Sequence, residues 1–521
     1  MLKRTEKTLR RVENKRIFSF IYMTEGVLVG VVAGLLAVFY RYLLSTAERF
    51  VFWMNDFLHE NIGYFCVWIA ALIIMGYVVG KIVKWEPMAS GSGIPQVTGE
   101  MRGYLNCNWW KVIIAKLTGG SLAIAGGLSL GREGPSIQLG AMGAKAVSKL
   151  LKNNKTAEKT LISCGAGAGL AAAFNAPLAG VMFVLEEIHH TFDGVVIVVG
   201  MIAAVTADYI SKFFFGQSTV FHYENSTFPL RYYWLLIVLG IILGVLGVIY
   251  NIIMIKGQEV FAKLTKIPIE YRIIIPFILA GICGYFLPQI LTSGHVMVEI
   301  LMKQESTVGF LLVLLVAKFL FSVVCFGAGT PGGIFFPLLI LGSYIGAVYG
   351  SLSIELFGLN PDLWHKFIIL AMAGFFASIV RAPLTGIVLI AEMTGNMTRM
   401  IDLVVVSIIA YVVANLLNNP PIYSSLLERI LKKRGVPLIR GGDGKILAEY
   451  IIPLGSDLDA MKIKEIPWPD FSLVVSIKRG EKELTPHGET LLKAGDEILV
   501  LIDEKYYTMA NETIEKLNEG Q

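Results

Sequence analysis

Arg132 and Glu133 stand side by side in GREGP (131–135), inside a long apolar region where each charge is costly. A buried carboxyl there can carry a proton, because burial favours its neutral form while backbone N–H donors favour its ionised form. The same frame occurs three times, as GSGIP (91–95), GREGP (131–135) and GIFFP (333–337), each followed by an apolar helical stretch. Proline suits the first turn of a helix, and glycine lets the preceding backbone bend so that free N–H groups face a common point. Helix N-termini attract anions through partial charges and unsatisfied donors. A fixed Lys or Arg would hold a monovalent anion too tightly for release in low dielectric, whereas partial charges bind and let go. Small residues that merely allow close helix packing are the alternative for any one segment. Three such segments favour an anion site.

Other charges fall in or near the apolar runs. Glu186 and Glu187 precede IHHTFD, and for Glu186 alone a solvated helix end is the better reading. Arg132 is expected to pair with a carboxylate or carbonyl away from any ion path. Adjacent His189 and His190 point in different directions on a helix and have no matching thiol or carboxylate cluster, so a hydrated or capping role is expected and no metal. Lys116, Asp208, Lys318, Arg381 and Glu392 read as interfacial or packing charges.

The elements that position these groups are membrane helices. Of 521 residues, 55% are hydrophobic and 16% charged, with a mean hydropathy of +0.64. Runs long enough to cross ~30 Å of hydrocarbon recur between about 18 and 418, among them 111–130 and 365–391, which predicts a polytopic α-helical membrane protein and excludes a β-barrel. Seven Lys or Arg against two Glu in the first sixteen residues place the N-terminus in the cytoplasm, and the basic LERILKKRG (427–435) places the C-terminus there too. Loop asymmetry thus accounts for the net charge of +5 without a nucleic-acid partner. The five cysteines contain no CxxC and read as small buried hydrophobes.

An internal repeat is visible. NAPLAGVMFVLEE (175–187) returns as RAPLTGIVLIAEM (381–393), GREGPSIQLGAMG (131–143) lies over GIFFPLLILGSYI (333–345) with Gly140 and Gly342 in register, and SGIP (92–95) has a faint counterpart in SGHV (293–296). Duplicated membrane units often have opposite orientations and build the substrate site at mid-membrane from broken helices. The halves are expected at roughly 18–216 and 230–418, after a basic segment 1–17. From residue 436 to 521, short β-branched runs and turn signals predict a small soluble α+β module, too small to be robust alone and without a catalytic constellation.

GSGIP, GREGP, GGIFFP (332–337) and GAGLAAAFNAPLAGVMFVLEE (167–187) resemble the signature segments of the CLC family of chloride channels and chloride/proton exchangers, over nearly all of 18–430. The tail resembles the C-terminal TrkA-type ligand-binding domain. The resemblance implies an inverted-repeat fold with broken, re-entrant helices and a homodimer in the cell membrane, with a pore in each subunit and no cofactor beyond transported chloride. It places the central chloride ligands on Ser92 and Tyr423 and on the N–H groups of Ile334 and Phe335, the gating glutamate on Glu133 and the internal proton glutamate on Glu187. A protonatable residue at 187 favours H⁺/Cl⁻ exchange over a passive channel, and Ser92 with Tyr423 argues against a fluoride exporter. An enzyme is disfavoured because the glutamates accompany helix starts and no nucleophile or metal cluster. A membrane sensor driven by the tail would leave the repeat unexplained. In related tails the ligand is often a cyclic dinucleotide such as cyclic di-AMP; Trp468, Phe471, Arg479 and His487 are candidates for it by residue type, and a purely dimer-stabilising tail stays open.

Overall fold

A computed structural model describes residues 2–190, 192–217, 228–302, 307–395, 400–435, 445–453, 456–480 and 482–519. The chain divides into two compact units, residues 1–430 and 431–521. In the first, helices follow one another as α1 (Leu2–Glu60), α2 (Phe65–Trp85), α3 (Ile94–Met101), α4 (Trp109–Ala125), α5 (Glu133–Leu150), α6 (Lys155–Phe174), α7 (Pro177–Phe183), α8 (Gly194–Phe215) and α9 (Tyr233–Lys263). The order continues with α10 (Ile269–Arg272), α11 (Ile274–Phe286), α12 (His295–Met302), α13 (Val308–Gly327), α14 (Phe335–Phe357), α15 (Leu363–Val380), α16 (Pro383–Thr394), α17 (Met400–Leu416) and α18 (Ile422–Lys433). Among the described residues, eight helical stretches are long and apolar enough to cross a membrane. The fold is a multi-pass helical bundle.

Several expected spans are broken, each for a local reason. The run 365–391 is two helices, because Arg381 ends α15 in the left-handed region (φ 69°) and Pro383 starts α16. A proline there cannot continue the preceding helix. The run 111–130 stops at Ala125, where Gly126 and Gly127 follow and Gly127 takes a φ of 81°. In the other direction, α1 runs unbroken to Glu60.

The repeat is written into the packing. Asn175 closes α6 at a φ of 55° just as Arg381 closes α15, and Pro177 and Pro383 then occupy equivalent positions. The most extensive helix contacts are α5 with α6 and α14 with α15, which are repeat equivalents. Gly140 and Gly342 make both contacts possible: a Cβ would lie 3.1 Å from Gly169 Cα in one and 3.0 Å from Ala371 O in the other. Lys116 donates to the carbonyls of Ala89 (2.8 Å) and Gly91 (2.7 Å), and its counterpart Lys318 donates to those of Ile290 (2.9 Å) and Thr292 (2.8 Å). Each lysine neutralises carbonyls at a chain break that no helix satisfies.

At the centre the halves exchange caps. Glu186 accepts from the Leu384 and Thr385 N–H groups (3.1 and 2.7 Å) at the start of α16, and Glu392 accepts from those of Leu178 and Ala179 (3.1 and 2.8 Å) at the start of α7. Reciprocal contacts of equivalent residues are what a two-fold relation requires. Glu186 is therefore a buried-side cap rather than a solvated helix end, and Glu392 is its mate.

The second unit is an antiparallel sheet of β1 (Lys445–Ile451), β2 (Ser472–Arg479), β3 (Lys482–Leu484) and β4 (Asp496–Asp503) in the order β1-β4-β2-β3, with α19 (Tyr507–Glu519) packing Ala510 and Ile514 into its core. Alternation along β4 buries Ile498, Val500 and Ile502 on one face. Arg479 Nε and Nη2 each donate at 2.7 Å to the carboxylate of buried Asp496, which also accepts from Lys493 N–H at 2.9 Å. Burial opposes this charge, yet the Arg479 fork and the N–H hold the Asp496 carboxyl below the usual carboxylate range. A depressed folded value stabilises the unit at pH above the unfolded carboxyl's ~4 and is lost as pH falls through the folded value. We expect Arg479→Leu, which strands a buried carboxylate, to destabilise this unit by roughly 1–3 kcal/mol at neutral pH. Hydrogen exchange across β2 and β4 in the full chain measures it; unchanged protection would show that the pair is dispensable.

Candidate anion and proton site

Three helix starts are tied together backbone to backbone. Gly131 and Gly333 exchange both N–H···O bonds (2.6 and 2.8 Å), Gly91 N–H donates to Thr330 O (3.1 Å) and Gly332 N–H donates back to Gly91 O (3.1 Å). These bridges fix GSGIP, GREGP and GGIFFP to one another, so α3, α5 and α14 begin around a common region. Gly93 caps α3 with a φ of 96°, a conformation that side chains rarely adopt. Gly134, in the first turn of α5, has Ser92 directly against it: a Cβ there would collide with Ser92 Oγ and stand 2.8 Å from Ser92 O. Gly134→Ala must push Ser92 or the start of α5 aside. We expect chloride flux in vesicles to drop by about tenfold or more, consistent with displacement of a positioned group; wild-type flux would mean that this contact is slack.

Ser92, Glu133, Ile334, Phe335 and Tyr423 are all buried, at no more than 2% exposure. Ser92 Oγ and Tyr423 Oη lie near one another, yet neither has a protein partner of hydrogen-bonding geometry. Two buried hydroxyls without an acceptor cost about 1–3 kcal/mol each, which an anion accepting from both would offset. Tyr423 is held there by the chain before it. Asn251 Nδ2 donates to Ile379 O (3.2 Å), Asn419 Oδ1 (3.3 Å) and Pro420 O (3.5 Å), and Arg381 Nη2 donates to Ala414 O (2.6 Å) and Asn419 O (3.0 Å). Arg381 and Asn251 thus position a site residue without touching the site.

Phe335 opens α14 inside an aromatic wall, with ring centroids 4.8 Å from Phe376, 5.3 Å from Phe174 and 6.3 Å from Phe183. Glu133 lies beside the start of this helix. The position of a Cβ on Gly131 would be 2.5 Å from Glu133 Oε2 and 3.1 Å from Phe336 N, so the carboxylate and that N–H share one small space. Neither Glu133 oxygen is engaged in a hydrogen bond of good geometry. Contrary to the expectation from the sequence, Arg132 does not pair away from the path. Its Nε stands 3.7 Å from Glu133 Oε1, because residue 132 precedes the first helical turn and its side chain folds back beside the helix start.

Glu187 lies in a widened helical turn, Val184–His189, that ends α7, and is buried at 4% exposure. Arg102 and Glu186 act on it electrostatically, and it acts in turn on Tyr423. His189 Nε2 meets Ser163 Oγ at 2.9 Å, and among the described residues no cluster could hold a metal ion. The two glutamates sit toward opposite ends of α1. Glu133 is in electrostatic range of Tyr40 and Glu48, whereas Asn153, just before α6, donates to Glu25 at 3.1 Å. Residues 25 and 48 of one helix are about 35 Å apart at ~1.5 Å per residue. Arg102, which acts on Glu187, shares a recess with Lys155 at the start of α6, so Glu187 lies toward the Glu25 end of α1 and Glu133 toward the Glu48 end.

In the tail, two of the four residues singled out are engaged within the unit itself. Arg479 spends its fork on Asp496 and a further bond on Leu491 O (2.8 Å), and Trp468 Nε1 donates to Ile463 O (2.9 Å) while its ring packs on the core. His487 is exposed. Phe471, 55% exposed, stacks on Tyr506 with centroids 4.3 Å apart. Arg479 and Trp468 are structural in this unit, and the sequence offered no sign that Asp496 would claim the guanidinium.

Comparison with known proteins agrees with this geometry. Residues 71–415 match the family described as Voltage gated chloride channel, and residues 447–513 match the TrkA-C domain. The chain is 34% identical to the H⁺/Cl⁻ exchange transporter ClcA of Vibrio cholerae over 437 residues, covering 81% of this chain and 92% of that one. It is 33% identical to ClcA of Yersinia pestis over 446 residues, covering 82% and 91%. Among solved structures, a slow cyanobacterial Cl⁻/H⁺ antiporter superposes with a TM-score of 0.76 at 30% identity, over 80% of this chain and 99% of that one. A CLC-type fluoride/proton antiporter has the same fold at 22% identity and a TM-score of 0.66, over 78% and 97%. With tied helix starts, a reciprocal two-fold core and these matches, the chain belongs to the voltage gated chloride channel family, the CLC proteins, and carries a TrkA-C domain at its C-terminal end.

Proposed function

We propose that the protein exchanges chloride for protons across the cell membrane, with both termini in the cytoplasm. The observation that carries this reading is the pair of buried carboxyls, Glu133 at the anion-facing helix starts and Glu187 toward the other surface, with Tyr423 in electrostatic reach of both. Helix-start N–H groups with Ser92 and Tyr423 hydroxyls bind the anion. Glu133, itself an anion, occupies that position when ionised and leaves it when protonated. Glu187 hands protons to and from the opposite surface by a branch that chloride does not use. The exchange relatives named above support this reading, and a passive channel would have no use for Glu187.

The deciding experiment is reconstitution into liposomes with a chloride gradient while external pH is recorded. Proton movement against its own gradient, driven by chloride, is the expected result. Chloride flux without proton movement would overturn exchange in favour of a passive channel. We also propose a homodimer whose tail modules bind a small ligand such as cyclic di-AMP. With Arg479 and Trp468 engaged in the tail's own structure, exposed Phe471, stacked on half-buried Tyr506, is the better base-binding surface, supported by its flat apolar face.

A further inference from the structure

A second charged recess lies beside the proton branch. It is an open pocket of about 700 Å³, lined by Met101, Arg102, Lys155, Lys159, Ile188 and the two imidazoles of His189 and His190. Three elements build it: the end of α3 brings Arg102, the start of α6 brings Lys155 and Lys159, and the widened turn after α7 brings the histidines. Burial holds His189 below the ordinary imidazole value, and burial with the nearby Arg102 charge does the same for His190. At neutral pH the imidazoles are therefore neutral hydrogen-bonding groups, and the recess owes its charge to Arg102, Lys155 and Lys159.

Among the described residues, none of these three cations has a hydrogen-bonded or ion-paired carboxylate. Glu158, on the same first turn of α6, forms no ion pair with either lysine, and two other nearby acids are committed elsewhere. Asp193 caps α8 through Val195 N–H (2.7 Å), and Glu186 caps α16. Glu187 faces the interior and feels Arg102 without forming an ion pair with it. Three cations on two helix ends around a concave space, none of them ion-paired with a carboxylate among the described residues, repel one another unless an anion joins them. The volume fits a small organic or inorganic phosphate and far exceeds a single halide. A guanidinium and two ammonium groups are the donors that phosphate oxygens take.

We infer that this pocket is a binding site for a phosphate-bearing anion, separate from the chloride path. The phosphate is either that of a soluble metabolite or that of an anionic lipid headgroup, which has the same chemistry. Arg102 is shared between the pocket and Glu187, so an occupant sits where it acts on the proton branch and not on the Ser92–Tyr423 site. The inference does not depend on whether the chain is an exchanger, because binding is measured without an ion gradient.

The test uses the full chain in nanodiscs of zwitterionic lipid, titrated with inorganic pyrophosphate in a calorimeter. Saturable binding at one site per chain is expected, weakening with added salt. Lys155 and Lys159 are exposed, so the double variant Lys155→Gln, Lys159→Gln removes charge with little loss of packing. It should bind about tenfold or more weakly, while Lys263→Gln, an exposed lysine outside the pocket, should bind as wild type. Repeating the titration in discs of phosphatidylglycerol separates the sources: lost pyrophosphate binding assigns the pocket to a headgroup, and retained binding assigns it to a soluble phosphate. No saturable binding in the wild type, or equal binding by the double variant, would overturn the site. Displacement of pyrophosphate by equimolar chloride would overturn its separateness by making it a mouth of the chloride path.

Discussion

Glu187→Ala is expected to reduce chloride-driven proton movement in liposomes by roughly a hundredfold or more, the scale on which a positioned proton-transferring group contributes, while chloride flux persists. In the proposed mechanism Ser92, Tyr423 and the helix starts hold the anion, and Glu187 has no part in that site. It is buried at the end of α7, and neighbouring carboxylate Glu186 cannot substitute because both its oxygens are fixed by N–H groups of α16. Glu187→Gln is the stricter form of the test. It keeps shape and hydrogen bonding but cannot carry a proton. Its loss of proton movement must match that of alanine if titration is the role, and a glutamine variant that still moves protons would show Glu187 to be merely structural. Arg102→Gln is informative beside it, because the guanidinium acts on Glu187 through space.

The frame of this site was legible in the sequence because glycine and proline act locally. GSGIP, GREGP and GIFFP announce helix starts wherever they fall, and the 206-residue offset between Asn175 and Arg381 marks equivalent helix ends that the fold reproduces, down to the left-handed φ of both. What could not be read was which distant partners local motifs would meet. Glu186 looks like a surface residue in its own segment, and its capping of α16 exists only because the two halves close on each other. The offset held the clue. Glu186 and Glu392 are also 206 residues apart, and two equivalent carboxylates near the axis of a duplicated fold have each other's helix starts within reach. Likewise Lys116 and Lys318, 202 residues apart, read as packing charges until their carbonyl partners appear at the breaks before α3 and α12. Span boundaries erred for the opposite reason. Hydropathy is continuous through 365–391, so only the Arg381–Pro383 break reveals two helices there.

Glu133→Ala should uncouple the two ions. In the proposed mechanism the carboxylate competes with chloride for the space beside Phe336 N–H, so chloride flux is expected to rise as pH falls and Glu133 becomes neutral. Alanine removes both the competitor and the proton. Chloride flux at neutral pH should then equal or exceed the wild-type flux measured in acid, its pH dependence should flatten, and proton movement should vanish. Glu133→Gln should resemble the wild type in acid at every pH, since the amide is a neutral isostere that cannot ionise. The position of Arg132 sharpens the test. Its Nε stands 3.7 Å from Glu133 Oε1 and is itself buried without a hydrogen bond, so alanine at 133 strands a cation as well as opening a path. A stranded cation beside the anion route would slow release of chloride. Glu133→Ala combined with Arg132→Gln should therefore pass chloride faster than Glu133→Ala alone, with neither moving protons. Equal flux in the two would mean that Arg132 serves only to seat the helix start, and a steep pH dependence surviving in both would move the proton-sensitive gate away from Glu133 altogether.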